Sequence, residues 1–198
     1  LELRAFDDGF GLRFVFGESF GDFVVTSERT EYNFAGDYTS WWIPNDWNNF
    51  EVEYRETPLS GIDSGLEGAP VSSGGNGVHT PMTMQTDEGL YLSVHEANLD
   101  DYASLAISPA GGDGPAMEST LAPLPDGTKV SATAPHMTPW RTFQIATRPG
   151  ELMESSLVLN LNEDYDESVF TQGVDWIEPQ KFIGIWWLMI TGRADWTF

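Results

Sequence analysis

Thr80-Pro81-Met82-Thr83-Met84-Gln85-Thr86-Asp87-Glu88-Gly89-Leu90-Tyr91-Leu92-Ser93-Val94-His95-Glu96 is the stretch that decides the fold. Met82 and Met84 alternate with Thr83 and Gln85, and Leu90, Leu92 and Val94 alternate with Tyr91, Ser93 and His95. Strand side chains point to opposite faces in turn, so each run has one apolar face and one polar face. Asp87-Glu88-Gly89 is turn chemistry, with a glycine free to take a positive φ. Two alternating runs around a tight turn make an antiparallel hairpin. Glu96, two residues beyond Val94, falls on the hairpin's apolar face.

The same alternation recurs outward in both directions. Leu12, Phe14 and Phe16 alternate with Arg13 and Val15, and Phe23-Val24-Val25-Thr26 reads as a second strand. Phe50, Val52 and Tyr54 alternate with charged neighbours, and shorter runs centre on Leu105 and Ile107, on Val130, and on Phe143 and Ile145. Leu157, Leu159 and Leu161 also alternate, which reads as one more strand. Turns recur at Pro109 to Pro115 and Pro125-Asp126-Gly127, and no stretch up to about residue 170 carries a capped 3.6-residue period. With 20 Gly and 12 Pro in 198 residues, the expectation is a mostly β chain of two antiparallel sheets packed face to face.

The pattern changes near the end. Lys181-Phe182-Ile183-Gly184-Ile185-Trp186-Trp187-Leu188-Met189-Ile190 is apolar on both faces, as a strand buried in a parallel sheet or barrel would be. The expected division is a sandwich over residues 1–174, then a connection and the first strand of a second domain over 175–198.

Charge narrows the function classes. There are 31 Asp and Glu against 9 Lys and Arg, with Lys129 and Lys181 the only lysines, for a net charge of −22. Phosphate backbones need a basic footprint, so nucleic acid is not an expected partner, nor is an anionic membrane surface. No run of 18 apolar residues is present to span a bilayer. Self-repulsion on this scale is relieved by salt, and the composition is that expected of a protein working in brine, the alternative being an ordinary acidic secreted protein. With no cysteine, neither disulfides nor thiolate zinc sites are available.

Four blocks bear a resemblance to a known family. They are Ala35-Gly36-Asp37-Tyr38-Thr39-Ser40-Trp41-Trp42-Ile43-Pro44 with Glu56-Thr57-Pro58-Leu59-Ser60; Thr80-Pro81 through Asp87 to Ala97 with Asp101-Tyr102; Thr138-Pro139-Trp140-Arg141-Thr142 with Gln144-Ile145-Ala146; and Leu159-Asn160-Leu161-Asn162-Glu163 with Gly184-Ile185-Trp186-Trp187. In order and spacing the chain resembles glycoside hydrolase family 97. The resemblance implies an amino-terminal super-sandwich like galactose mutarotase, its first strands lying before Leu1, followed by a TIM-type (β/α)8 barrel whose first strand is 181–190. It implies hydrolysis of α-glucosides or α-galactosides with calcium, an α-linked oligosaccharide as partner, and a periplasmic or secreted location. The catalytic carboxylates would lie beyond Phe198, so the chain alone is expected to be inactive. Where the family commonly has Met-His at the end of the barrel strand, this chain has Met189-Ile190.

The resemblance carries one functional residue into this chain. A sandwich-domain glutamate of the family ligates the calcium ion, and its match is Glu96 in Val94-His95-Glu96-Ala97. The alternation agrees in pointing Glu96 inward, where a carboxylate needs compensation. Trp41, Trp42 and Trp47 fit sugar stacking, or else packing of the sandwich on the barrel. His79, His95 and His136 lack metal-ligand spacing, and Asp87-Glu88, Asp100-Asp101, Glu163-Asp164 and Asp166-Glu167 read as solvated turns. A mutarotase-like acid/base pair is disfavoured because His95 and Glu96 point to opposite faces. The alternative reading is a stand-alone carbohydrate-binding or structural sandwich module.

Overall fold

Among the described residues fifteen short strands carry the architecture, because alternation this frequent leaves few runs long enough for helix. The computed structural model describes residues 1–47, 50–63, 77–111, 115–181, 188, 190–193 and 195. In chain order the first eight strands are β1 (Glu2–Phe6), β2 (Gly9–Arg13), β3 (Val15–Phe16), β4 (Asp22–Val25), β5 (Glu31–Asn33), β6 (Thr39–Trp42), β7 (Arg55–Pro58) and β8 (Val78–His79). Then follow β9 (Met82–Gln85), β10 (Tyr91–Ala97), β11 (Leu105–Pro109), β12 (Ala116–Leu121), β13 (Val130–Thr133), β14 (His136–Met137) and β15 (Trp140–Ala146). The short helices α1 (Pro149–Glu154) and α2 (Leu157–Leu161) follow β15.

A seven-stranded antiparallel sheet in the order β1-β2-β15-β10-β9-β6-β7 faces a four-stranded sheet in the order β5-β12-β11-β8. Two small ribbons, β4 with β13 and β3 with β14, accompany these sheets. The hairpin read from the sequence is β9–β10: Leu92 stands opposite Met84 and Val94 opposite Met82, and Gly89 turns with φ +87°. Their shared face meets Leu105, Ile107, Met117 and Leu121 of the second sheet in one buried core. The mostly β, two-sheet expectation holds.

The outer face of the seven-stranded sheet is sealed by α2. Leu157 and Leu161 are buried against Trp140 and Ala97, while Leu159 between them is 75% exposed. That pattern corrects the strand expected over Leu157, Leu159 and Leu161. A strand would bury all three on one face, whereas i and i+4 of a helix share a face and i+2 points away. Five residues cannot separate the two periods by apolar spacing alone. Gly11 provides the seat, since a Cβ there would lie 2.6 Å from the Leu161 side chain and 3.3 Å from Trp140.

Two further readings change. Phe50, Val52 and Tyr54 form no strand; Phe50 and Tyr54 are exposed, and Phe50 lies on His79 with ring centroids 3.9 Å apart. Alternation marks a strand only where a neighbour accepts the ladder. The run Leu12–Phe16 is interrupted at Phe14, whose N–H donates to Thr138 Oγ1 at 3.1 Å.

Residues Leu1–Glu163 form one compact unit and Asp164–Phe198 another. The second begins earlier than the division expected after residue 174. Of the double-sided apolar run, residues 182–187 and 189 lie outside the described residues, as do Ala194 and 196–198. Leu188 and Ile190 stand in helical backbone, with Arg193 N–H donating to Leu188 O at 2.8 Å.

Candidate functional site

Glu96 sits near the end of β10, directly opposite Arg141 of β15. Both alternate in phase with core residues, Glu96 with Val94 and Arg141 with Phe143, so the strands carry them into the space between the sheets. Arg141 Nη1 donates to Glu96 Oε2 at 2.8 Å, and Leu105 N–H at the start of β11 donates to Glu96 Oε1 at 2.9 Å. On its other edge Arg141 forks onto Glu28, with Nε to Oε1 and Nη2 to Oε2 both at 2.7 Å. The Tyr102 hydroxyl donates to Glu28 Oε2 at 3.2 Å and Thr30 Oγ1 to Glu28 Oε1 at 3.1 Å. Side-chain exposure is 1% for Arg141, 4% for Glu28 and 8% for Glu96.

Two carboxylates around one guanidinium leave the cluster one charge acidic, away from water. Burial pushes the Glu96 carboxyl above its usual range, against the Leu105 N–H and the Arg141 charge. Burial also works to discharge Arg141, but the hydrogen bonds and charge of Glu28 outweigh it and raise its pKa. The Tyr32 and Tyr102 hydroxyls are pushed upward, first by burial and then by the charge of Glu28. The bidentate fork is the strongest geometry available to such a pair, and the cluster ties both sheets to the β4–β5 connection.

A calcium ion takes 6–8 oxygens at about 2.3–2.6 Å. Glu96 offers one carboxylate, each of whose oxygens already accepts a hydrogen bond, one of them from a positive charge 2.8 Å away. Among the described residues no group of three or more carboxylates or histidines could hold a metal ion. Among the described residues Glu96 is a single carboxylate that a calcium shell would have to complete from elsewhere. Arg141 meets the need for compensation that the sequence exposed.

The other candidates separate from this cluster. His95 points to the opposite face, where its Nδ1 meets Thr80 Oγ1 at 3.1 Å and burial lowers its pKa. Trp42 is fully buried within the sandwich core, its Nε1 donating to Thr57 Oγ1 at 2.9 Å, so it packs inside the sandwich. The partly buried Trp41 donates to Glu56 Oε2 at 3.0 Å. Asp87, Glu88, Asp100, Asp101, Glu163, Asp164, Asp166 and Glu167 are all exposed, as read. Sequence reasoning missed Arg141 as Glu96's partner and Glu28 as the second carboxylate on that arginine. An arginine in phase with Phe143 was a readable signal; Glu28, in a connection, gave none.

Comparison with known proteins agrees with this architecture. A family described as "Glycosyl-hydrolase 97 N-terminal" matches residues 1–164. A glycoside hydrolase family 97 enzyme from Pseudoalteromonas sp. strain K8, solved in complex with acarbose, superposes with a TM-score of 0.78 at 33% identity. A variant of that enzyme in complex with panose gives the same values. Each superposition covers 98% of this chain and 27% of the neighbour, so the chain spans about a quarter of those enzymes. A β-arabinopyranosidase shares the fold at a TM-score of 0.58 and 21% identity, over 73% of this chain and 24% of its own. From these matches and the sandwich built above, the chain belongs to glycoside hydrolase family 97, as the amino-terminal domain of that family.

Proposed function

We propose that the complete protein hydrolyses α-glucosides or α-galactosides, and that this chain is its non-catalytic sandwich, supporting a (β/α)8 barrel and walling one side of the substrate cleft. The observation that carries this reading is the 33% identity over 98% of the chain with an enzyme bound to acarbose and panose. Chemistry within the chain supports the non-catalytic role. A glycosidase needs two carboxylates free to flank a scissile bond, and Glu28 and Glu96 are both clamped on Arg141.

Calcium belongs to the proposal for the complete enzyme through the family resemblance, with Glu96 as the one ligand that this chain would supply. The test compares the complete protein with residues 1–198 on nitrophenyl α-glucoside and α-galactoside. Turnover by the complete protein and none by the chain is the expected result. Turnover by the chain alone refutes its non-catalytic role, and silence of the complete protein on both refutes the substrate class.

A periplasmic or secreted site belongs to the same reading through the family resemblance, and high salt through the charge of −22. No helix among the described residues is long and apolar enough to cross a membrane. The melting temperature should rise steadily from low to molar NaCl as screening shortens the range of repulsion. A flat profile removes the brine reading.

A further inference from the structure

The outer face of the seven-stranded sheet divides in two. The helices α1 and α2 lie over β2, β10 and β15, and the strands beyond them carry a different surface. Residues paired across strands point to the same side of a sheet. The register of β7, β6, β9 and β10 therefore sets Glu56, Trp41 and Thr83 in one outward row, and Thr39, Gln85 and Tyr91 in the next. Trp41, Thr83, Gln85 and Tyr91 are half-buried. Glu56 is the one charged side chain of the six, and its Oε2 accepts from Trp41 Nε1 at 3.0 Å, which holds the indole in place. The side chains of Thr83, Gln85 and Tyr91 take part in no hydrogen bond among the described residues. Two strands across at about 4.8 Å each, and two residues along at about 3.4 Å each, put Trp41 and Tyr91 about 12 Å apart, with Thr83 and Gln85 between them.

We propose that this face binds an α-linked oligosaccharide, with one pyranose ring on Trp41, another on Tyr91, and the hydroxyls between them on Thr83 and Gln85. Flat aromatic rings suit the apolar faces of a pyranose, and hydroxyl and amide groups both give and accept hydrogen bonds, as sugar hydroxyls do. A surface with a single, tethered charge on a chain of net charge −22 suits a neutral ligand and repels a phosphate backbone. A protein partner would need a broader apolar centre than two separated rings. Because Glu56 orients the indole before the ligand arrives, stacking costs little additional ordering. The ligand class rests on the substrate reading above; the place rests on the sheet register alone.

The test runs the complete protein in native gels cast with soluble starch or with galactomannan, which display α-linked glucose and galactose. The expected result is retardation in one of the gels, weakened about tenfold in apparent affinity by Trp41→Ala and by Tyr91→Ala and recovered in Trp41→Tyr. Leu159→Ala, at an exposed position of α2, is the control and keeps full retardation. Retardation untouched by either alanine variant overturns the proposal, as does free migration of the unsubstituted protein in both gels. A loss in Trp41→Ala that Trp41→Tyr does not recover, beside full retardation of Tyr91→Ala, overturns it as well. The substrate reading is scored apart, by turnover of the nitrophenyl glycosides by the unsubstituted protein. Turnover without retardation strikes only the present proposal, and Trp41-dependent retardation without turnover strikes only the substrate reading.

Discussion

The two faces of the seven-stranded sheet meet different fates at β2 and β15. On the outer face, α2 closes over Gly11 and Trp140, while Arg13 and Arg4 lie over the Trp140 ring at 4.3 and 4.9 Å. Arg13 is anchored by Glu2 at 2.8 Å, so even the charged rim there is paired. On the inner face, a few ångströms through the same backbone, the Glu28–Arg141–Glu96 cluster is sealed, while Leu3 and Ile145 stand open. Burial of a residue on this sheet is set by what lies across from it, and the apolar character of the residue is a weak guide. Arg141 at 1% side-chain exposure and Leu3 at 61% residue exposure make the point.

The largest expected effect breaks the sealed part of the inner face. Arg141→Met leaves two buried carboxylates without their cation, and removing one member of a buried ionic cluster costs about 3–5 kcal/mol. Urea denaturation of the chain should show a loss of that size or outright failure to fold; a change under about 1 kcal/mol would mean the cluster is not closed to water. Glu96→Gln probes the same cluster more gently. Because burial raises the Glu96 pKa above 4.5, its protonated form is favoured in the fold. Its stabilising contribution is therefore present below pH 4.5 and is lost as pH rises through the folded value. The stability of the native sequence minus that of Glu96→Gln should fall over that window, and parallel pH profiles would contradict the burial argument.

A comparison of leucines across the sheet is next in size. Leu161→Ala on the sealed outer face should cost about 2–5 kcal/mol, since a cavity opens beside Trp140. Leu12→Ala on the open part of the inner face should cost roughly 1 kcal/mol in this chain, in line with partial burial. Leu159→Ala, at a 75% exposed position, should be nearly silent. Equal losses at Leu159 and Leu161 would restore the strand reading of 157–161.

The sequence by itself determined the hairpin β9–β10, the two-sheet antiparallel class, the inward direction of Glu96 and the family. Each of these is legible because alternation is a local property of the backbone and the family's blocks lie along the chain in order. It misread Leu157–Leu161 and Phe50–Tyr54, where short alternating runs satisfy more than one geometry and the choice falls to whatever packs against them. Only the tertiary structure decided what compensates Glu96. Arg141, which does so together with the Leu105 N–H, stands 45 positions further along, and Glu28, which shares that guanidinium, lies on a connection 113 positions before Arg141. Charge pairing acts through space, and a single sequence has no term for the distance between strands until the sheets have formed.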